Sequence, residues 1–159
     1  MRYSSIVCAV TGSFHSQEAA LEATHLAREH GAKLVFVYAV DTDFLRGGIT
    51  SASSVEDSLE HVGSHILKSA EDIAAAQGVT PKKVLRKGPV LEVIKQVISE
   101  EKADLLILGH EDRTFFEKIL LRGDVEDHVQ ELRNETGVEV KIIREEETGD
   151  LSRLQEKPC

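Results

Sequence analysis

The stretch LLILGHEDRTFFEKILLRGDV, residues Leu105–Val125, decides the fold. Its aliphatic run ends at Gly109, a polar segment follows, and an amphipathic segment leads to a second glycine, Gly123. This order is typical of a buried parallel strand, its exit loop and the start of the next helix. Because ligands bind beyond the carboxyl ends of the strands in an open α/β sheet, we expect a functional site here.

Four further apolar runs, separated by segments with helical periodicity, predict the rest of the sheet. They are Ser5–Val10, Lys33–Val40, Lys82–Arg86 and Val138–Ile143, and the central strand is predicted over Ala103–Leu108. The runs at 82–86 and 138–143 are less apolar, which predicts that they form the sheet edges. The alternation of strands and helices predicts the α/β class: a doubly wound, Rossmann-like parallel sheet of five strands with helices on both faces.

Serines mark the predicted starts of the first two helices. Ser16 is the predicted N-cap of a helix that ends near His30, and Ser54 with Asp57 resembles a capping box. The second helix carries an apolar stripe at three- and four-residue spacing, which predicts its sheet-packing face. The stripe consists of Val55, Leu59, Val62, Ile66, Ala70 and Ile73.

Length and composition predict one domain and exclude several partners. The chain has 159 residues, of which 1–144 form the predicted domain and 145–159 a predicted disordered, acid-rich tail. Nineteen basic and 28 acidic residues give a net charge of −9, which disfavours non-specific binding to nucleic acid or anionic membranes. No apolar run approaches the roughly 20 residues that span a bilayer, and no cleavable signal is expected.

The two cysteines favour a reducing compartment. Cys8 lies in an apolar run, where a buried structural thiol is expected, and Cys159 is the last residue. A strand thiol and a terminal thiol make a poor disulfide pair, so we expect the cytoplasm.

Several segments, taken in order, resemble one known family. They are Ile6–Ser13 (IVCAVTGS), Tyr38–Asp41 (YAVD), the Gly88-Pro89 pair and Ala103–Gly109 (ADLLILG). These correspond to an opening strand with its Gly-Ser turn, the end of the second strand, the turn before the third helix and the fourth strand. Their order and spacing are similar to those of the universal stress protein (UspA) family, over Ser5–Arg144.

This resemblance implies a sheet order of 3-2-1-4-5 and a nucleotide crevice between the first and fourth strands. Family members that bind ATP use an aspartate after the first strand and a Gly-X2-Gly-X9-Gly-Ser/Thr loop, whose glycines let backbone amides approach the phosphates. Carried over to this chain, the cofactor-binding residues for ATP or AMP would be Thr11, Gly12, Val40, Gly109, Arg113 and Gly123.

The chain departs from that pattern at several positions. Thr11 replaces the aspartate, Asp112 replaces the second loop glycine, and Asp124 takes the Ser/Thr position once the loop is one residue longer. Phe115 and Phe116 replace small residues and are expected to cover the crevice or pack under the loop. An aspartate ~5 Å from a phosphate charge costs roughly 1–3 kcal/mol, so tight ATP binding is not expected.

No enzyme signature accompanies the family pattern, and we predict no catalytic residues. The Thr11-Gly12-Ser13 turn lacks the lysine of a phosphate-binding loop. His110 and Glu111 could do acid–base work beside the crevice, but an ordinary polar loop is the favoured interpretation. His61 and His65, four residues apart, could share a metal ion; without a third ligand, solvated helix surface is favoured and no metal is predicted.

The last strand predicts a homodimer. Family members commonly pair their fifth strands across a two-fold axis, which would use Val138, Val140 and Ile142 here.

Two functional hypotheses remain open. The chain is either a non-enzymatic stress-response module acting through protein partners, with weak or no nucleotide binding, or an adenine-nucleotide-binding regulator with a modified phosphate loop and slow ATP hydrolysis.

Overall fold

A computed structural model of the chain describes residues 3–10, 14–40, 52–109 and 132–143. Within these residues lies one parallel sheet with the strand order β3-β2-β1-β4-β5. The strands are β1 (Ser5–Ala9), β2 (Lys33–Val40), β3 (Lys82–Lys87), β4 (Leu105–Gly109) and β5 (Glu139–Ile143). The predicted fold class and strand order are confirmed.

The helices described are α1 (Phe14–His30), α2 (Ala52–Ala76) and α3 (Val90–Glu101), and residues 132–136 are also helical. Both N-cap predictions were wrong, because an N-cap residue stands outside the helix. Ser16 and Ser54 each lie two residues inside the helix that they were predicted to begin. The predicted tail at 145–159 lies outside the described residues.

The sheet is covered on both faces because alternate residues of each strand point to opposite sides. One face packs against α1 and α2 and includes Ile6, Cys8, Phe36 and Ile107. The other packs against α3 and includes Val7, Val35, Leu106 and Leu108. β1 and β4 are buried along their whole length, which explains their continuous apolar runs.

Asp104 connects the starts of β1, β4 and β5. Its carboxylate accepts hydrogen bonds from the backbone N–H groups of Ser4 (3.0 Å) and Ser5 (3.1 Å) and from the Ser4 hydroxyl (3.2 Å). Its own N–H donates to the Ser5 carbonyl at 2.9 Å, and its carbonyl accepts from the Glu139 N–H at 3.2 Å. Burial raises the pKa of the Asp104 carboxyl, but the hydrogen bonds from Ser4 and Ser5 outweigh it and hold the pKa below its usual value.

Glu101 forms a second charged cluster at the same end of the sheet. The carboxylate, at the end of α3, is only 7% exposed and accepts from Lys33 (2.7 Å) and Lys82 (2.6 Å), the first residues of β2 and β3. The hydrogen bonds from Lys33 and then Lys82 hold the pKa of Glu101 below its usual value, against the opposing effect of burial. The cluster therefore ties α3 to two neighbouring strands.

Gly63 lets α2 pack closely on the sheet. It is buried within the helix, and a Cβ atom placed on it would lie 2.5 Å from Cδ1 and 2.8 Å from Cε1 of Tyr38 on β2. Real Cβ atoms do not approach other atoms so closely. The absent side chain thus creates the space that the Tyr38 ring occupies.

We expect Glu101→Gln to lower the free energy of unfolding at neutral pH by about 1.5–3 kcal/mol, because it removes a charge that accepts two charged hydrogen bonds. The exposed, ion-paired neighbour Glu100 is the matched control, and Glu100→Gln should cost less than about 1 kcal/mol. Because the folded-state pKa of Glu101 is depressed, its stabilisation is full above the ordinary value of 4.5 and declines as the pH falls below it. Urea unfolding at neutral pH and at a pH below 4.5 measures the loss of stability in each variant. Equal losses for Glu101→Gln and Glu100→Gln at neutral pH would contradict the prediction.

We expect Gly63→Ala to lower the free energy of unfolding by about 1–3 kcal/mol, since overpacking against Tyr38 outweighs the roughly 1 kcal/mol that alanine contributes through helix propensity. Ser64→Ala, at the exposed neighbouring position, is the control and should be neutral or stabilising. Adding Tyr38→Val to Gly63→Ala should recover part of the loss. Strictly additive effects in the double variant would contradict the proposed clash.

Candidate functional site

At the carboxyl edge of the sheet, β2 and β4 both continue past the last residue of β1. Ala9, the last residue of β1, is opposite Val37, whereas β2 continues three residues further to Val40. On the other side Cys8 is opposite Ile107, and β4 continues to Gly109. The N–H of Val10 still donates to the Val37 carbonyl at 3.0 Å, so the chain runs one residue further beside β2 after β1 ends. We refer to the position above the end of β1, between the ends of β2 and β4, as the recess.

The recess coincides with the point where the chain direction across the sheet reverses. β1 leads through α1 to β2 on one side, and β3 leads through α3 to β4 on the other side of β1. The two helices lie on opposite faces of the sheet. Ligands of open α/β sheets bind at such a switch point, where the two connecting segments diverge.

Two of the predicted nucleotide residues, Val40 and Gly109, end the strands on either side of the recess. The Val40 side chain is buried, and its carbonyl accepts a hydrogen bond of 2.9 Å from the N–H of Gly88. Gly109 is buried and pairs with Ile143 of β5. Both residues therefore shape the walls through their backbone. The remaining predicted residues lie outside the described part of the chain: Thr11, Gly12, His110, Glu111, Asp112, Arg113, Phe115, Phe116, Gly123 and Asp124.

The turn from β3 into α3 is built on Gly88 and Pro89. Gly88 has φ of 138°, a conformation that side chains rarely adopt. Pro89 precedes the first helical residue, and its carbonyl accepts from the N–H of Val93 at 2.9 Å. The turn places the start of α3 next to the end of β2, as the Gly88-Pro89 pair predicted.

Basic side chains at the end of β3 are already paired with acidic ones. Arg86 donates two hydrogen bonds of 2.9 Å to Glu100, and Lys87 forms an ion pair of 2.8 Å with Glu60. Each cation is offset by a carboxylate that would repel an anionic ligand. Along this edge of the described chain, β3 therefore offers no unneutralised positive charge for a phosphate.

A cavity of about 240 Å³ lies between α1 and α2, beside the end of β1. Its lining includes Val10, Ser16, Gln17, Ala20, Val62, His65, Ile66, Ser69, Ala70 and Ile73. Sequence reasoning missed this cavity. It assigned Val62 to the packed stripe of α2, whereas Val62 is 46% exposed at the cavity. The sequence signal for the cavity was the presence of two polar residues, His65 and Ser69, beside the apolar stripe of α2.

His61 and His65 contact each other on the exposed surface of α2. Their Nε2 atoms are 3.2 Å apart, and the rings meet edge to face with centroids separated by 4.6 Å. Among the described residues no cluster of three or more histidine, cysteine or carboxylate side chains could hold a metal. None of the described helices has the length and apolar character that crossing a membrane requires.

Comparison with known proteins agrees with this architecture. The model of the universal stress protein family matches residues 2–134. Universal stress protein MJ0531 of Methanocaldococcus jannaschii is 31% identical over 129 residues, which cover 80% of this chain and 75% of that protein.

Two solved structures share the fold. A universal stress protein in complex with cAMP superimposes with a TM-score of 0.63 at 24% identity, covering 90% of this chain and 98% of its own. The universal stress protein of Archaeoglobus fulgidus in complex with dAMP has a TM-score of 0.58 at 21% identity, covering 90% and 99% of the two chains.

Proposed function

The chain belongs to the universal stress protein family, and we propose that it is a non-enzymatic, cytoplasmic stress-response module that weakly binds an adenine mononucleotide. The observation that carries this proposal is the arrangement of strand ends at the switch point, where β2 and β4 continue past the last residue of β1. The family relatives solved with cAMP and dAMP support an adenine ligand of this size.

The backbone around the recess suits a nucleoside better than a chain of phosphates. Val40 and Gly109 present strand ends without charged side chains. Arg86 and Lys87, the basic residues at the adjacent end of β3, are engaged by Glu100 and Glu60. Uncharged walls allow a base or sugar to be buried, and they contribute little to holding a triphosphate.

The sequence that follows β4 carries charge of the wrong sign for ATP. Asp112 and Asp124 stand where the ATP-binding pattern of the family has a glycine and a hydroxyl residue. Each aspartate costs roughly 1–3 kcal/mol against a phosphate charge ~5 Å away. A mononucleotide carries fewer phosphate charges than ATP, so it loses less binding free energy to this repulsion.

We also propose that the protein is a homodimer joined through β5, which pairs with β4 on one side only among the described residues. The Glu139 N–H points to β4, so the backbone groups of Val140 and Ile142, at alternate positions, point to the outer edge. The Val140 carbonyl accepts from Arg133 at 3.4 Å, consistent with that orientation. Since the side chains of Val138 and Val140 are buried in their own core, pairing would rest on the backbone.

Isothermal titration with cAMP, AMP and ATP in magnesium buffer tests the nucleotide proposal. We expect submillimolar binding of cAMP or AMP and at least about tenfold weaker binding of ATP, a difference of about 1.4 kcal/mol. Gly109→Val should weaken mononucleotide binding because its side chain narrows the recess. Leu108→Val, the adjacent buried strand position that faces α3, is the matched control and should leave binding unchanged.

The double variant Asp112→Gly, Asp124→Ser restores the second glycine and the hydroxyl residue of the family pattern and should raise the affinity for ATP more than that for AMP. Two results would contradict the proposal: ATP binding more tightly than AMP in the unmodified protein, or no heat with any nucleotide. The second result would leave action through protein partners alone as the function.

Light scattering on the purified protein tests the dimer, and we expect twice the mass of one chain at micromolar concentration. Ile142→Pro removes an outward N–H that the β4 ladder does not use, and it should shift the mass to that of one chain. Thermal unfolding of the separated species shows whether the variant remains folded. A monomeric unmodified protein, or a folded dimeric variant, would count against pairing through β5.

A further inference from the structure

We propose that His61 and His65 form a two-imidazole binding site for a late first-row divalent metal ion, of the Ni²⁺, Cu²⁺ or Zn²⁺ class. Their Nε2 atoms are 3.2 Å apart. Two nitrogens that each lie ~2.0–2.1 Å from one ion are separated by roughly 2.9 Å at a right angle and roughly 3.3 Å at a tetrahedral angle. The observed distance falls between these two geometries, so both Nε2 atoms come within reach of one ion once the rings turn and their hydrogen bond breaks.

The helix backbone holds this arrangement before any ion binds. The two histidines are four residues apart in α2, which runs from Ala52 to Ala76 and places both well inside its ends. Side chains at this spacing lie on the same face of a helix. The backbone part of the conformational entropy that two separate ligands would lose has therefore already been lost on folding.

Access and electrostatics also favour a cation. Both imidazoles are exposed, so an ion reaches them without opening the fold. Asp57 lies one turn before His61 on the exposed surface of α2, and the whole chain carries a net charge of −9. The nearest lysine along the helix, Lys68, is paired with Asp72 at 2.9 Å, which offsets its repulsion of a metal ion.

The chain supplies two ligands, which leaves open coordination positions for water or another donor. His65 also lines the cavity between α1 and α2, together with Gln17 and Ser69. An ion on the two histidines would therefore lie beside that cavity. This site involves neither Val40 nor Gly109, so it stands independently of the nucleotide proposal.

Calorimetric titration of the nucleotide-free protein with ZnCl₂, NiCl₂ and MgCl₂ tests the proposal. We expect Zn²⁺ and Ni²⁺ to bind and Mg²⁺ not to compete, because imidazole suits the former ions and Mg²⁺ prefers oxygen ligands. His61→Gln and His65→Gln should each lower the affinity of this site by at least about tenfold. His25→Gln, an exposed histidine on α1, is the matched control and should bind as the unmodified protein does.

Binding that is absent, or that survives either single substitution, would overturn the proposal. Glutamine is a good helix former at exposed positions, so we expect both variants to fold, and circular dichroism checks this. Electron paramagnetic resonance of the Cu²⁺-loaded protein adds an independent measurement. Coupling to two equivalent imidazole nitrogens is the expected result, and coupling to one nitrogen or none would refute shared coordination.

Discussion

The structure depends on how β1 is held against β4, two strands separated by almost a hundred residues of chain. Asp104 sets this register because its carboxylate accepts hydrogen bonds from the backbone N–H groups of Ser4 and Ser5 and from the Ser4 hydroxyl, at the start of β1. A one-residue slip would turn every buried side chain of β1 to the opposite face. The same register determines how the ends of β1 and β4 align at the carboxyl edge.

Stabilising charges and the candidate site lie at opposite ends of the strands. Asp104 and Glu101 organise the amino edge, where their charged hydrogen bonds connect four strands and α3. The carboxyl edge carries the recess, and its frame is mostly backbone. Under the proposed function, substitutions at residues such as Asp112 can therefore change ligand preference without removing the interactions that hold the sheet together.

The sequence predicted elements where one local signal dominated and missed features that arise between distant residues. The buried strands were correct because continuous apolar runs have few alternatives, and the strand order followed from the family resemblance. The Ser16 and Ser54 caps were wrong because a serine can lie within the first turn as well as before it. The exposure of Val62 depends on the cavity between α1 and α2, which helical periodicity does not reveal. Local sequence patterns likewise cannot identify the partners of Glu101, since Lys33 is 68 residues away in the chain.

Spacing and geometry contribute differently at the two candidate sites. For His61 and His65, spacing predicts proximity, but only the orientation of the rings brings both Nε2 atoms to a distance that one ion can bridge. At the recess, the described residues supply the ends of β2 and β4, and the sequence after Gly109 adds Asp112 and Asp124. Under the proposed function, the strand ends accept the base and sugar, and the two aspartates disfavour ligands with more phosphate groups, because Coulomb repulsion increases with each ligand charge.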